Sequence, residues 1–299
     1  MHGLYGERQT MPFDHCPEPS MKIIQITDTH LSPVKSHFTE NWDRLAAWIV
    51  EAGADLVVHT GDLTIDGADL DEDMVYSIEK MRSLPIPMLI VPGNHDVGHL
   101  PGSDQPVNQE RLTRWQTLVG PDRWVSDHPG WRLIGLNSLI IGAQSEEDEA
   151  QFQWLEAQLA SRDGRQVAIF AHKPLFVDSA DEGDSGYWGI APKQRQRLFD
   201  LFKDHPVKLH ASGHLHWAWQ GEHAGITLVW GPPSSFIIQE FEREMPGERL
   251  VGAVIHTLSD HGVSSEIVSL PQLVPYVFDD LAAELYPKAV RLQSEEAAQ

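Results

Sequence analysis

Between residues 21 and 211, short apolar runs alternate with longer segments in which apolar residues recur at helical spacing. Short runs rich in apolar residues predict buried strands over 21–27, 56–59, 86–91, 131–137, 167–171 and 207–211. Segments with apolar residues three and four positions apart separate these runs and predict amphipathic helices. Helices are expected behind Thr39, over 70–84 and 108–119, around Phe152, Leu155 and Leu159, and from Pro192 onward.

Residues with known terminal preferences mark the ends of these helices. Thr39 is placed to act as the N-cap of the first helix, and Gly53 is placed to end it. Pro85 stops the second helix, while Pro192 suits a first helical turn. Strands alternating with helices in this way predict βαβ units with parallel strand pairing.

The pattern changes after about residue 225. Residues 226–230, 250–258 and 263–269 predict strands with few helical signals between them, so the sheets are expected to be mixed. A last apolar-periodic stretch over 276–293 predicts a terminal helix. We therefore expect one α/β domain over 21–270, preceded by an N-terminal extension over 1–20 and followed by a helical tail over 271–299.

Composition and charge argue against several kinds of partner. The chain has 299 residues, with 44 acidic against 22 basic side chains and a formal net charge of −22. Without a cluster of Lys and Arg, polymeric nucleic acid and anionic membranes are not expected partners. No apolar run approaches the length of about 18 residues that spans a membrane. An acidic protein can still bind a small phosphate ester when metal ions supply positive charge.

The single cysteine and the N-terminal residues bear on the cellular compartment. Cys16 has no second cysteine with which to form an intramolecular disulfide, which fits a reducing compartment. Residues 1–20 contain no apolar core of signal-peptide length. A cytoplasmic protein is the simplest expectation.

Polar side chains follow five of the predicted strands at the points where the strands end. In open α/β sheets, ligands bind outside the carboxyl ends of the strands, so these side chains are expected to converge. Pairs two residues apart send both side chains the same way from an extended backbone. The five segments are Asp28-Thr29-His30, Gly61-Asp62, Gly93-Asn94-His95-Asp96, His172 and Gly213-His214-Leu215-His216.

The residue types in these segments suit metal coordination. Carboxylate oxygens and imidazole nitrogens are ligands for Zn, Mn, Fe and Co. Each segment taken singly also fits an ordinary turn, helix cap or surface loop, but the ordered set of five at strand ends favours metal binding. So many ligands are too many for one tetrahedral ion and suit two ions that share a carboxylate. The candidate ligands are Asp28, His30, Asp62, Asn94, His172, His214 and His216.

Together the five segments resemble those of the calcineurin-like metallophosphoesterase superfamily. The resemblance spans about residues 21–220 and implies a four-layer αββα sandwich of two mixed β-sheets. It implies a dinuclear site at the carboxyl edge of the strands, holding two divalent or trivalent ions drawn from Fe, Mn, Zn and Co. It also implies the distribution of ligands: Asp28, His30 and His216 on the first ion, Asn94, His172 and His214 on the second, and Asp62 on both.

The resemblance further implies roles in the hydrolysis of a phosphate ester. A hydroxide between the two ions would attack phosphorus in line with the leaving alkoxide. Asn94 and His95 would bind substrate, and His95 would orient a phosphate oxygen or protonate the leaving group. The alternative for His95 is a purely structural hydrogen bond to Asp62 or a neighbour. Asp96 could orient His95 through a hydrogen bond, or it could cap the following turn.

The segments around the motifs are most similar to the branch that includes bacterial cyclic-nucleotide phosphodiesterases and glycerophosphodiesterases. The similar runs are 26–31, 92–97 and 131–138. The first hypothesis is therefore a phosphodiesterase for small diesters, with 3′,5′-cyclic AMP the leading candidate. The alternatives are a phosphomonoesterase of the same fold and a non-catalytic interaction module. The complete ligand set argues against the module.

Several residues keep two interpretations. Asp66 could correspond to the further acid or Asn that many superfamily members carry soon after Gly-Asp, but a turn beside Gly67 is favoured. Asn137 is interpreted as core or turn. The tail could pack on a second copy, in a homodimer or a larger assembly, or on its own domain.

Aromatic residues near the motifs also keep two interpretations. Trp217 and Trp219 could stack on a base or another substrate group, although packing under a loop is favoured. The loop over 177–191, which carries Tyr187 and Trp188, could cover the site, although an ordinary solvated loop is favoured.

Overall fold

The structure is a computed structural model that describes residues 20–239 and 244–286. The strands in this part of the chain are β1 (Met21–Ile26), β2 (Leu56–His59), β3 (Met88–Ile90), β4 (Trp124–His128), β5 (Trp131–Gly135), β6 (Gln166–Phe170), β7 (Val207–Ser212), β8 (Trp219–His223), β9 (Ile226–Trp230), β10 (Phe236–Ile237), β11 (Gly252–Ser259), β12 (Gly262–Ser269) and β13 (Tyr276–Val277). The helices are α1 (Thr39–Ala52), α2 (Asp71–Arg82), α3 (Asn94–Val97), α4 (Gln109–Leu118), α5 (Glu146–Ala160), α6 (Pro192–Lys203) and α7 (Phe278–Leu285).

Every strand predicted from the apolar pattern, and every helix predicted before residue 270, is present with ends shifted by a few residues. Gly53 ends α1 in the left-handed conformation at φ 66°, and Pro192 opens α6, as predicted. The N-cap prediction for Thr39 is wrong. A 3-10 turn over Ser36–Phe38 runs directly into α1, so Thr39 already has the helical φ of −61°.

The strands that the pattern missed lie at the edges of sheets or are very short. β4 and β8 pair antiparallel with β5 and β9, and in both strands exposed residues alternate with half-buried ones. Such half-exposed edge strands contain no continuous apolar run, so periodicity does not reveal them. Within the stretch 276–293 that predicts a terminal helix, the first two residues form β13 and the next eight form α7. The prediction for 287–293 lies outside the described residues.

Two mixed sheets form the centre of the fold. The first has the order β12-β11-β1-β2-β3, with β1, β2 and β3 parallel and β11 antiparallel to β1. The second has the order β4-β5-β6-β7-β9-β8, with β5, β6, β7 and β9 parallel. The mixed sheets expected from the sequence are therefore confirmed.

The alternation of side chains along each strand produces four layers. Ile23 of β1 points between the two sheets, where it packs in a cluster with residues such as Phe170 of β6. The next residue, Ile24, points the other way, into a cluster with Leu45 of α1 and Ile78 of α2. The second sheet buries Ile169 against α5 and α6. The predicted αββα sandwich is confirmed.

The described part of the tail packs on its own domain. β13 pairs with β10, and Leu285 of α7 is buried in the cluster that covers the outer face of the first sheet. Among the described residues, no helix is both long enough and apolar enough to cross a membrane.

Candidate metal centre

The seven predicted ligands lie together where the two sheets meet. Asp28 and His30 follow β1, Asp62 follows β2, and Asn94 follows β3, all in the first sheet. The remaining ligands follow β6 and β7 of the second sheet, namely His172, His214 and His216. Two groups share Asp62, and the candidate ligand atoms within each group lie within 4.8 Å of one another: Asp28, His30, Asp62 and His216 in one, and Asp62, His172 and His214 in the other.

The backbone at these ligands is held in an uncommon conformation. Among the described residues, eight non-glycine residues have a positive φ, and five of the eight are candidate ligands: Asp28 (51°), His30 (45°), Asp62 (55°), His214 (73°) and His216 (53°). A left-handed conformation is unfavourable for residues with a Cβ, and such residues concentrate at functional sites. The surrounding fold therefore holds these five side chains in place against local backbone preference.

Gly93 lets the loop after β3 approach Asp62 closely. A Cβ on Gly93 would lie 2.1 Å from Asp62 Oδ1 and 2.2 Å from the Asp62 amide nitrogen. Oδ1 is held in place because it accepts a hydrogen bond of 2.8 Å from the backbone N–H of His95, and the amide nitrogen can move only with the backbone itself. Glycine, which has no Cβ, permits this close approach of the two backbone segments.

Replacing Gly93 with Ala should displace Asp62 and weaken metal binding. Overpacking of this kind costs about 1–3 kcal/mol of folding free energy. We expect both a lower unfolding midpoint and loss of bound metal, measured by thermal unfolding and by metal analysis after dialysis. Gly183→Ala is the matched control, because its Cβ would meet no atom within 4 Å. Full metal content in Gly93→Ala would contradict the assigned role of this turn.

Three acceptor atoms converge on one nitrogen of His172. The Nδ1–H of His172 donates to the Thr60 carbonyl at 2.8 Å, so in a neutral ring Nε2 carries a lone pair. Nε2 lies 3.1 Å from Asn94 Oδ1, 3.2 Å from Asp62 Oδ2 and 3.1 Å from His214 Nδ1. A proton on Nε2 could serve only one of these neighbours. A cation between them would satisfy all four atoms.

His214 repeats this arrangement from the opposite side of the second group. Its Nε2–H donates to the Tyr187 carbonyl at 2.9 Å, which leaves Nδ1 without a proton in the neutral ring. Because that Nδ1 faces His172 Nε2, two lone pairs oppose each other unless a cation lies between them. The amide of Asn94 points its oxygen at the same place, since its Nδ2 donates to the Tyr187 hydroxyl at 2.7 Å.

The first group shows the same opposition of acceptors. His216 Nδ1–H donates to the Phe236 carbonyl at 2.7 Å, and its Nε2 lies 3.3 Å from His30 Nε2. The same Nε2 is 3.4 Å from Asp28 Oδ1, a buried oxygen that has no hydrogen-bond partner within residues 20–239 and 244–286. Buried polar atoms without a partner are costly, so this oxygen fits a ligand of a positive ion. The donor set of N and O atoms therefore fits a pair of metal ions.

Burial and charge shape the ionisation of the acidic ligands. Burial by itself would raise the pKa of Asp62, but the surrounding histidines, His172 first, hold that pKa well below its usual range. Burial raises the pKa of Asp28 to about 7, and the nearby carboxylate of Asp62 adds to that rise. Two carboxylates so close together in a buried place need positive charge, which bound cations would supply.

His95 and Asp96 are placed differently from each other. The His95 ring is half-buried, bonds through Nδ1 to the Ile65 carbonyl at 3.0 Å, and lies 4.9 Å from the His30 ring between centroids. Of the two alternatives for Asp96, the hydrogen bond to His95 is not present among the described contacts, whereas Asp96 does cap the N-terminus of α3. The buried Asp96 carboxylate accepts from the backbone N–H groups of Leu63, Thr64 and Gly93. Asp96 thus ties together the loops that carry Asp62 and Asn94.

The alternatives left open by the sequence are resolved for several residues. Trp217 is buried and its Nε1–H donates to the Ile238 carbonyl at 3.1 Å, while Trp219 packs on Trp230 at 4.5 Å between ring centroids. Packing, which was favoured, is the observed state of both rings. The Asp66 carbonyl accepts the N–H groups of Asp69 and Leu70 in a turn, as favoured.

Asn137 also behaves as expected. Its side chain is fully buried, and its amide donates to Asp122 at 2.9 Å while its oxygen accepts from the Leu139 N–H at 3.1 Å. It is therefore a core residue that shapes the turn after β5.

Two tyrosines that the sequence did not single out as site residues contact the candidate ligands, and a histidine packs on one of them. Tyr187 contacts Asn94 and His214, so the favoured interpretation of its loop as merely solvated is wrong at this residue. His99 stacks on Tyr187 at 4.5 Å and could have been noticed by its position just after the Asn94 segment. Tyr286 contacts His30, and no sequence signal marked it because it approaches from the far end of the chain.

Comparison with known proteins agrees with this geometry. Residues 21–218 match the family of calcineurin-like phosphoesterases. The chain belongs to that family. The matched segment includes all seven candidate ligands, and it ends two residues beyond His216.

Relatives of the chain include both phosphatases and phosphodiesterases. The human serine/threonine-protein phosphatase CPPED1 is 29% identical over 62% of this chain and 61% of its own length, so the chain spans less than two thirds of that relative. A protein of Psychrobacter arcticus described as a "probable cyclic nucleotide phosphodiesterase" is 26% identical over 76% of this chain and 84% of its own. A "probable glycerophosphodiester phosphodiesterase GpdQ" of Arcobacter nitrofigilis is 28% identical over 66% of this chain and 72% of its own length.

Solved structures share the fold. A purple acid phosphatase from yellow lupin superposes with a TM-score of 0.65 at 14% identity, covering 84% of this chain and 53% of the lupin protein. A dimetal phosphatase from Danio rerio superposes with a TM-score of 0.52 at 15% identity, covering 83% of this chain and 99% of that protein. At these identities the likeness establishes the architecture of the chain and leaves its substrate open.

Proposed function

We propose that this chain is a dinuclear-metal phosphodiesterase that hydrolyses small phosphate diesters, with 3′,5′-cyclic AMP the leading candidate. The observation that carries the proposal is the pair of ligand groups joined at Asp62, each with lone pairs facing one another across a short distance. When bound there, two ions would lower the pKa of a water between them and neutralise charge on the phosphate oxygens.

The residues of the chain prepare the place where the ester binds. Asp62 accepts the His95 N–H and so links the shared ligand to the loop that carries Asn94 and His95. His95 bonds to Ile65 through Nδ1, so its Nε2 is free of that bond and can meet a phosphate oxygen or the leaving oxygen. A histidine held by one nitrogen and open at the other is suited to donate a proton to an alkoxide.

The surroundings of the ligands favour a diester over a monoester. Tyr187, Trp188 and Tyr286 place aromatic rings beside the ligand histidines or His95, and the Tyr187 side chain is 40% exposed. The seven ligands make no described hydrogen bond or ion pair with an Arg or Lys side chain. Lys173 adds positive charge near His214, but its ammonium is buried against His99 Nε2 at 3.2 Å. A monoester dianion needs more positive charge than a diester monoanion, whereas a flat apolar group suits aromatic rings.

A phosphomonoesterase is the second candidate, favoured by the phosphatases among the relatives. The experiment that separates the two compares hydrolysis of bis(p-nitrophenyl) phosphate with that of p-nitrophenyl phosphate. Protein reconstituted with Mn²⁺ or Co²⁺ is measured beside the same protein treated with a chelator. We expect faster turnover of the diester, loss of activity with the chelator, and recovery when the metal is restored.

Each result has a distinct meaning for the proposal. A chelator-sensitive preference for the diester would support it and lead to assays of 3′,5′-cyclic AMP and glycerophosphodiesters. A preference for the monoester would replace it with the phosphatase candidate. Two bound metals with neither substrate cleaved would favour a non-catalytic role or a narrow substrate.

A further inference from the structure

The end of the described tail is tied to the segment that follows His30. Glu284 of α7 lies 3.2 Å from His37 Nε2, and the Lys35 ammonium donates to the Leu285 carbonyl. The Phe278 ring packs 5.5 Å from Phe236 between centroids. These contacts hold the residue after α7, Tyr286, at the edge of the candidate metal centre.

Tyr286 contacts two residues of that centre. Its hydroxyl lies 3.1 Å from His30 Nδ1, although the two residues are 256 positions apart in the chain. Its ring lies 4.9 Å from the His95 ring, with the two planes tilted by 40°. The side chain therefore bridges a candidate metal ligand and the residue assigned to the leaving group.

The contact at His30 differs from those at the other ligand histidines. The remote ring nitrogens of His172, His214 and His216 bond to main-chain carbonyls, of Thr60, Tyr187 and Phe236 respectively. A main-chain carbonyl is present whatever the side chain. His30 bonds to a side-chain hydroxyl, so one substitution can remove its partner. Partners of this kind fix the tautomer and orientation of a ligating imidazole.

We infer that Tyr286 is a positioning residue of the metal centre, by which the C-terminal segment orients His30 toward the first ion and supports the ring of His95. This inference rests on the proposed function, because it takes His30 to be a metal ligand. The tail would then be part of the working site and not merely a cover for the outer helices. The segment lies outside the matched family region, which ends at residue 218.

Tyr286→Phe tests this inference because it removes one oxygen and keeps the ring. Binding of Mn²⁺ or Co²⁺ to the full chain is measured by titration calorimetry, and the visible absorption of the Co²⁺ form is recorded. We expect the affinity for one of the two ions to fall about 10-fold or more and the Co²⁺ spectrum to change. The other ion should bind as in the parent protein.

Tyr276→Phe is the matched control in the same segment. Tyr276 packs its ring 5.5 Å from Phe38 and has no described contact with a candidate ligand, so metal binding should be unchanged. Thermal unfolding in chelator should match the parent for Tyr276→Phe. Tyr286→Phe also loses the hydrogen bond to the buried His30, so its unfolding temperature should be slightly lower.

The outcomes separate this inference from the proposed function. Two ions bound by Tyr286→Phe with parental affinity and an unchanged Co²⁺ spectrum would overturn the role of Tyr286 and leave the proposed function standing. A parent protein that binds fewer than two ions would overturn the proposed function, and the role of Tyr286 with it. A selective loss of one ion in Tyr286→Phe alone would establish the inference.

Discussion

Asp62→Asn should lower turnover of the diester about 10³-fold or more and reduce the metal content of the purified protein. Asp62 is the residue that the two ligand groups share, and its Oδ2 lies 3.2 Å from His172 Nε2 and 3.8 Å from His30 Nε2. An amide keeps the size of the side chain but removes the negative charge that attracts both ions. Loss of several kcal/mol of transition-state stabilisation corresponds to this factor.

The matched control for this change is Asp163→Asn. Both aspartates have φ 55°, so the two substitutions make the same chemical change in the same backbone conformation. Asp163 is 88% exposed and lies away from the candidate ligands, so turnover and metal content should stay at the parental level. Steady-state kinetics and metal analysis by mass spectrometry check both variants. Parental activity in Asp62→Asn would refute the bridging assignment.

His95→Ala should reduce turnover by about 10²–10⁴-fold while both ions stay bound. The reduction corresponds to about 3–5 kcal/mol and reflects loss of a proton donor to the leaving oxygen. Metal should be retained because the contact from His95 to Asp62 is made by its backbone N–H, which alanine preserves at 2.8 Å.

A comparison of two substrates with different leaving groups tests whether His95 protonates the leaving group. An ester with a p-nitrophenol leaving group needs little protonation, so its hydrolysis should fall less than that of an alkyl diester. His128→Ala is the control, because His128 pairs with Trp131 at the opposite end of β5 from the candidate ligands. Equal losses on both esters, accompanied by loss of metal, would make His95 a structural support of the centre.

The order of strands and helices could be predicted because each is encoded locally. The apolar runs of β2 and β6 are continuous and buried, and Gly53 and Pro192 mark helix ends by their own backbone preferences. The predicted N-cap at Thr39 failed because a preceding 3-10 turn extended the helical conformation, and only the packed chain determines that.

The convergence of the seven candidate ligands could be inferred for a similar reason. Parallel strands place their carboxyl ends at one edge, so polar residues after β1, β2 and β3 must be neighbours once those strands pair. That β6 and β7 bring their histidines to the same place depends on the stacking of two sheets. The resemblance to a known family supplied that step, and periodicity could not.

The sequence alone thus predicted the helices and strands, the types of ligand and their order along the chain. It could do so because strand periodicity and turn chemistry depend on a few neighbouring residues. Only tertiary structure determined that Asp96 accepts backbone N–H groups from the neighbouring loops, and that His95 bonds to the Ile65 carbonyl. It also decided that Tyr187 and Tyr286 reach the ligands. The contact of Tyr187 with Asn94 joins residues 93 positions apart, and that of Tyr286 with His30 joins residues 256 positions apart. No local pattern specifies which distant side chains meet when the core packs.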